Sequence, residues 1–338
     1  MLKIDIKKYF ADLSPDKQND LLTELQNMKD EAEFELLELR VRQLDNKQAS
    51  CPRCGSIKYV KNGSSKGVKR YKCKTCKRSF TAYTGTWLAH IHKKELLVPY
   101  LKLTKLDLSL DKIKKKLKIN KKTALDWRHK ISASVSDIEN DVFTGITESD
   151  ETFFLHSNKG YRNLDRKARK RGRAIKKRGI NDEQVAVIVS ADRTKTMNVN
   201  VACLGRIKKS DIEHAIGDMI GKQTILCSDG HTSYKGFAAD KSIEHHVIRA
   251  NLKEYVKNKK YHIQHINSMH SRVKNWIDKK LLGVATKNLQ GYMNLFHVRE
   301  KFKDSEFIFK IIEIGSTNVN AIKKYRSIEE SYKLLKTA

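Results

Sequence analysis

The sequence predicts a multidomain α/β protein: N-terminal helices, a zinc ribbon, a helix-turn-helix, and then a larger domain built on a mixed sheet. Three observations predict it. Two Cys-x-x-Cys doublets sit close together, separated by residues 55–72. Residues 109–131 carry apolar positions at helical spacing on both sides of a short turn. From about residue 142 the texture changes to strand-like runs, and it returns to helix from Ile266 onward.

The chain has 338 residues, room for two or three domains. Lys plus Arg number 69 against 39 Asp plus Glu, a formal charge of +30. Such an excess favours a polyanionic partner, because each phosphate neutralised releases counterions. A ribosomal or membrane-surface protein would share the charge, but no uncharged apolar run approaches the length of a membrane span. The opening stretch is broken by Asp5, Asp12 and Asp16, so it does not read as a secretory signal. A soluble, cytoplasmic protein with no membrane partner is the expectation.

In residues 1–48 Leu21, Leu22, Leu25 and Met28 recur at helical spacing, and Phe34, Leu36, Leu37, Leu39 and Val41 continue the pattern. Ser14-Pro15-Asp16 reads as a helix start with Pro in the first turn. This segment can pack on the rest of the chain or pair with a second subunit. Residues 49–82 hold Cys51, Cys54, Cys73 and Cys76. Each doublet can place two thiolates on one ion, and two doublets complete a tetrahedral set with no position left for water, so the expected metal is a structural Zn²⁺. Cys203 and Cys227 stand alone in apolar stretches and read as small buried hydrophobes.

Residues 90–135 contain the helix-turn-helix rhythm. Leu110, Ile113 and Leu117 mark a first helix, Ile119-Asn120 the turn, and Thr123, Ala124, Trp127 and Ile131 the second helix. Lys121, Lys122, Arg128 and Lys130 are then left to face nucleic acid. A plain helical hairpin with solvated lysines is the bland alternative. Residues 142–310 carry strand-like runs at Phe143 to Phe154, Val185 to Ala191, Met197 to Leu204 and Thr224 to Ser228, with a helical segment from Ser210 to Ile220. A basic insert, residues 157–182, includes Arg169, Lys170 and Arg171 and reads as a phosphate clamp or a solvated loop. Residues 311–338 form a helical tail.

Two acidic residues fall where strands would place them in a site. Asp150 lies mid-strand, and Asp229 ends a short apolar strand before Gly230. Carboxylates on adjacent strands can bridge two Mg²⁺ ions for phosphoryl transfer, although an Asp before Gly also serves as a plain turn former.

Taken together, Glu148-Ser-Asp-Glu-Thr-Phe153, Val185 to Arg193, Cys227-Ser-Asp-Gly-His-Thr-Ser-Tyr234, His265 to Trp276 and Gly283-Val-Ala-Thr-Lys287 resemble the DDE-superfamily transposases of bacterial insertion sequences. The likeness is to the zinc-ribbon, ISXO-type branch, in which Asn, with His or Lys nearby, replaces the third carboxylate. The resemblance spans roughly residues 50–300. It implies an RNase H-like fold, Mg²⁺- or Mn²⁺-dependent cleavage at transposon ends, and strand transfer by the freed 3′-hydroxyl. It also implies double-stranded DNA partners (terminal inverted repeats and target), at least a dimer on synapsed ends, and a place beside the bacterial nucleoid. By this carry-over Asp150 and Asp229 match the first two metal-binding aspartates, and Glu151 matches the acidic neighbour of the first.

On a helix, Asn267, His270, Ser271 and Lys274 share a polar face, while Ile266, Met269, Val273 and Trp276 turn away from it. Asn267 is therefore expected as the third ligand, His270 as a further ligand or phosphate contact, and Lys274 as a DNA contact. The alternative for His270 is a plain surface histidine. The competing functions are an inactive or domesticated transposase acting as a DNA-binding regulator, a nuclease or resolvase that cuts without joining, and a zinc-ribbon transcription or ribosomal factor. The last leaves Asp150, Asp229 and Asn267 unexplained.

Overall fold

A computed structural model describes residues 10–136, 141–161, 164, 178–302 and 305–337. The N-terminal helices are α1 (Pro15–Leu36) and α2 (Leu39–Asp45). Helix α1 starts at the proline because its ring pre-sets the first helical φ and the missing N–H has no intrahelical role there. Leu37 joins a core further along the chain, whereas Leu22, Leu25 and Met28 stay exposed.

The cysteine segment forms a three-stranded antiparallel sheet of β1 (Tyr59–Ser65), β2 (Val68–Cys73) and β3 (Ser79–Thr81). Lys66 and Gly67 both take positive φ, 51° and 76°, the geometry that lets a two-residue turn follow the twist of its strands. Tyr59, Tyr71 and Phe80 pack their rings together over Leu44 of α2, giving this small unit an aromatic core.

Three helices follow: α3 (Leu97–Lys105), α4 (Leu110–Leu117) and α5 (Lys121–Ser134). The turn between α4 and α5 is written locally. Ser109 Oγ accepts the N–H of Lys112 and caps α4, Lys118 closes it at φ 51°, and Asn120 Oδ1 accepts the N–H of Lys122 to open α5. These helices do not make a core alone. Trp87, Tyr100, Ile113, Trp127 and Ile131 share one cluster with Leu295, Val298, Ile308, Ile311 and Ile312 from near the C-terminus.

The larger domain holds β4 (Ile146–Leu155), β5 (Gln184–Asp192), β6 (Met197–Leu204), α6 (Lys209–Ile216), β7 (Ile225–Ser228), α7 (Thr232–Lys241) and β8 (Glu244–Val247). It continues with α8 (Gln264–Lys274), α9 (Leu289–Lys301), α10 (Ser305–Thr317), α11 (Ala321–Arg326) and α12 (Ile328–Thr337). The sheet runs β6-β5-β4-β7-β8 and is mixed: β4, β5 and β6 are antiparallel, and β7 and β8 run parallel to β4. Val185, Val187 and Val189 of β5 face α8 and α9, while Ala186 and Ile188 face α6 and α7. Covered on both faces, β5 carries an unbroken apolar run from Val185 to Val189.

Two elements differ from the sequence expectation. Strand β8, Glu-His-His-Val, and helix α7 were not anticipated, because a four-residue strand this polar carries no apolar run. The expected boundary at residues 310 and 311 falls inside α10, which packs into the shared helical core.

Candidate functional site

The sheet creates the site by ending β7 early. Pairing between β4 and β7 stops at Glu148 opposite Cys227, and β7 itself stops at Ser228. Asp150 and Glu151, further along β4, therefore meet no neighbouring strand on that side. Asp229 follows directly, and Gly230 turns the chain at φ 92°, where an added Cβ would lie 2.4 Å from Val247 Cγ1. One carboxylate oxygen from each of Asp150, Glu151 and Asp229 can be chosen so that all three lie within 4.8 Å of one another.

Burial and like charge dominate the electrostatics of this trio, with Lys274 acting on Asp150 in the opposite direction. Burial, then the charges of Asp229 and Glu151, push Asp150 up to about 8. Burial, then Asp229, push Glu151 up to about 7. No described Lys or Arg forms an ion pair with any of the three, and the buried Oε2 of Glu151 has no hydrogen-bond partner among the described residues. Two carboxyls raised in this way beside a third, with an orphaned oxygen, fit a divalent cation: a hard cation supplies positive charge and takes oxygen ligands.

Helix α8 lies against the same strand. Ile266, Met269 and Val273 are buried in the core, as the helical spacing predicts. His270 is buried rather than a surface histidine, with Nδ1 3.9 Å from Asp150 Oδ2 and Nε2 buried without a hydrogen-bond partner among the described residues. Burial first, then Lys274, lower its pKa to about 4, so the ring is neutral and can act as a ligand or hydrogen-bonding group but not as a cation. Asn267 and Lys274 are exposed on α8, one turn to either side of His270.

Sequence reasoning gave Glu148 no role. It is 1 % exposed, and its Oε2 accepts the N–H groups of His265 (3.0 Å) and Ile266 (3.3 Å) at the start of α8. Its Oε1 meets Arg193 (2.9 Å) and His265 Nδ1 (2.7 Å), with His262 at 3.4 Å. Arg193 also contacts both imidazoles, so a cation already occupies the centre of this Glu-His-His group. Glu148 thus anchors the start of α8 two residues along β4 from Asp150. The only sequence signal was the Glu-x-Asp spacing, which puts both carboxylates on one face of a strand.

In the cysteine module, the Sγ atoms of Cys51, Cys54, Cys73 and Cys76 can all be placed within 4.8 Å of one another. The Cys51–Cys76 and Cys54–Cys73 separations are 3.8 and 3.6 Å. A tetrahedron with Zn–S bonds of about 2.3 Å has edges of about 3.8 Å, so the donor set fits zinc in both chemistry and spacing. The backbone N–H of Cys76, 3.5 Å from Cys73 Sγ, helps draw that thiol down to about 6. Cys203 and Cys227 are buried, and burial pushes both thiols up to about 12.

The basic residues expected at DNA divide. Lys121 and Lys122 are exposed at the start of α5. Arg128 and Lys130 are not: they are 5 % and 7 % exposed, Arg128 donates to the Leu108 carbonyl, and Lys130 pairs with Asp126 at 2.9 Å. This corrects the sequence expectation for both residues. The far half of α5 is sheathed by α9 and α11, through His129 against Tyr292 and Tyr325 Oη donating to Asp126. Arg169, Lys170 and Arg171 lie outside the described residues.

Residues 142–301 match the family described as the ISXO2-like transposase domain. A protein of Halobacterium salinarum, described as an uncharacterized protein in transposable element ISH50, is 26 % identical over 255 residues, covering 74 % of this chain and 85 % of that protein. Among solved structures, a chain from the crystal structure of a pre-cleavage Mos1 transpososome aligns over 69 % of this chain and 77 % of its own. Its identity is 10 % and its TM-score 0.27, too weak a likeness to bear on the fold. Through residues 142–301 the chain is thus similar to the ISXO2-like transposase domain, and the matches support an insertion-sequence transposase of the DDE superfamily.

Proposed function

We propose that this protein binds transposon-end DNA and performs metal-dependent phosphodiester cleavage and strand transfer. The observation that carries the proposal is the trio of Asp150, Glu151 and Asp229, without an ion pair to any described Lys or Arg, at the point where β7 ends beside β4. We read the β6-β5-β4-β7-β8 sheet as RNase H-like, residues 49–82 as a zinc ribbon, and residues 90–135 as a helix-turn-helix module.

Asp150 and Asp229 would hold Mg²⁺ or Mn²⁺, with Glu151 as an adjacent carboxylate, Asn267 as a neutral oxygen ligand and His270 behind Asp150. Such ions lower the pKa of a bound nucleophile and neutralise charge on the leaving oxygen. The chain's own part is to hold these side chains against the sheet edge, with Glu148 fixing the start of α8 and Lys274 offering a charge to the phosphate. Replacing a third carboxylate by Asn267 removes one negative charge, which favours Mn²⁺ over Mg²⁺. Lys121 and Lys122 stand at the helix start that enters the major groove in this motif. Subunits would pair on synapsed ends, at least as a dimer.

The test is end cleavage and joining with DNA binding held constant. Asp150→Ala and Asp229→Ala abolish cutting, and Asn267→Ala reduces it by orders of magnitude. Wild-type protein that binds the ends but neither cuts nor joins in Mn²⁺ would place it with the DNA-binding regulators. Normal cutting by Asn267→Ala, with Glu244 or Glu254 essential instead, would overturn the assignment of the third position.

A further inference from the structure

A cleft of about 1070 Å³ lies between the cysteine module and the C-terminal helices, away from the carboxylate trio. One wall carries Arg53, Lys66 and Arg70, and the other carries Lys323 and Arg326 of α11. All five are exposed, and none forms an ion pair with a described residue. Glu330 is the single carboxylate among the described residues of the lining. Like charges facing each other across a fixed gap repel, and the surplus is relieved when an anion enters.

The gap is fixed because the loop after β3 is locked to the C-terminal helices. The Ile322 N–H donates to the Gly85 carbonyl at 2.9 Å. Gly85 has φ 86°, and an added Cβ would lie 2.2 Å from the Val319 carbonyl oxygen. Only glycine permits so close an approach of the two backbones. The far side of α11 lies on α5: Tyr325 Oη donates to Asp126 at 2.8 Å, and Lys324 Nζ donates to Ser136 Oγ at 2.9 Å. So α11 contributes to the basic cleft while also bracing the helix whose first turn presents Lys121 and Lys122.

We propose that this cleft is a second DNA-backbone site, in which Lys323 and Arg326 of the C-terminal helices and Arg53, Lys66 and Arg70 of the cysteine module grip the phosphates of duplex DNA. The positive charges are spread over two walls, which suits a run of phosphates rather than one. The duplex, not a single strand, is the occupant, because α11 also abuts the helix pair proposed above to read the major groove. The site rests on that DNA-binding reading and adds to it a role for the C-terminal helices.

The experiment compares full-length wild type with Lys323→Ala/Arg326→Ala and Lys66→Ala/Arg70→Ala for binding to a random-sequence duplex and to a single strand of the same length. Salt is varied, and zinc content and circular dichroism check the fold. Each lost phosphate contact removes about 0.9 from the slope of log affinity against log salt, so either double variant flattens it by about 1.8. The wild type's advantage over the variant then shrinks about tenfold between roughly 50 and 200 mM salt. Both walls should give this result for the duplex. Wild type that fails to bind duplex DNA would sink the DNA reading itself. Wild type that binds, with both well-folded variants keeping its slope and affinity, would overturn the cleft alone. A loss confined to the single strand would also overturn it, since the duplex would not be the occupant.

Discussion

Replacing Asp150 by Asn should make the metal-free protein more stable while removing its response to divalent cations. Asp150 is pushed from 3.8 to about 8, mainly by burial, with a side chain 15 % exposed. Its folded value is raised, so the folded state holds a proton that the unfolded state has released. The penalty is absent below 3.8 and grows as pH rises toward 8. At about 1.36 kcal/mol per pH unit, holding that proton at pH 7 costs about 4 kcal/mol. An Asn in the same position forgoes this cost but buries an amide whose partners are incomplete, a loss of about 1–3 kcal/mol. The net expectation is a gain of about 2 kcal/mol, or a rise in Tm of about 4–8 °C for a domain of this size. By the same reasoning the gain vanishes near pH 5. The assay is thermal unfolding of zinc-loaded protein at pH 5 and pH 7, with and without added Mn²⁺. Wild type should be stabilised by Mn²⁺ and Asp150→Asn should not. An Asn variant less stable than wild type at pH 7 without Mn²⁺, or one that kept the Mn²⁺ response, would refute the reasoning.

Metal analysis should find about one zinc per chain in wild type, and Cys73→Ser should lose it together with the ordered three-stranded module. Glu148→Ala should cost about 2–4 kcal/mol in urea unfolding, because it strips a buried acceptor from two N–H groups and takes the carboxylate from Arg193. Glu148→Gln, which keeps an acceptor oxygen, should cost less. Arg128→Ala should lower stability by about 1–3 kcal/mol and leave the salt dependence of DNA binding unchanged, whereas Lys121→Ala/Lys122→Ala should do the reverse, flattening the slope by about 2. Gly85→Ala should destabilise by more than about 2 kcal/mol, through strain at φ 86° and the clash with Val319. A melting curve matching wild type would show that this loop is not locked.

The sequence alone determined whatever depends on neighbouring residues. The Cys-x-x-Cys doublets, the turn at Ile119-Asn120, the strand-like runs of β4 to β7 and the buried face of α8 are local patterns, and the structure carries each where the spacing puts it. Asp229 was legible as a charge ending a short apolar strand, whereas Asp150, set between Glu148 and Glu151, was legible only through the motif that carries the family resemblance. Tertiary structure decided which side chains remain at the surface. Arg128 and Lys130 sit on α5 with the right spacing to face DNA, yet α9 and α11, more than 150 positions further along the chain, cover that half of the helix. Glu148 earned no role from its neighbours, because its partners His265 and Ile266 lie 117 and 118 positions away. Strand β8 exists only because β7 offers it an edge, and the cleft exists only because Gly85 lets two backbones meet. Helical period, capping and ligand spacing act over a few residues. Burial and pairing depend on which distant surfaces the fold brings together, and no short stretch of chain encodes that.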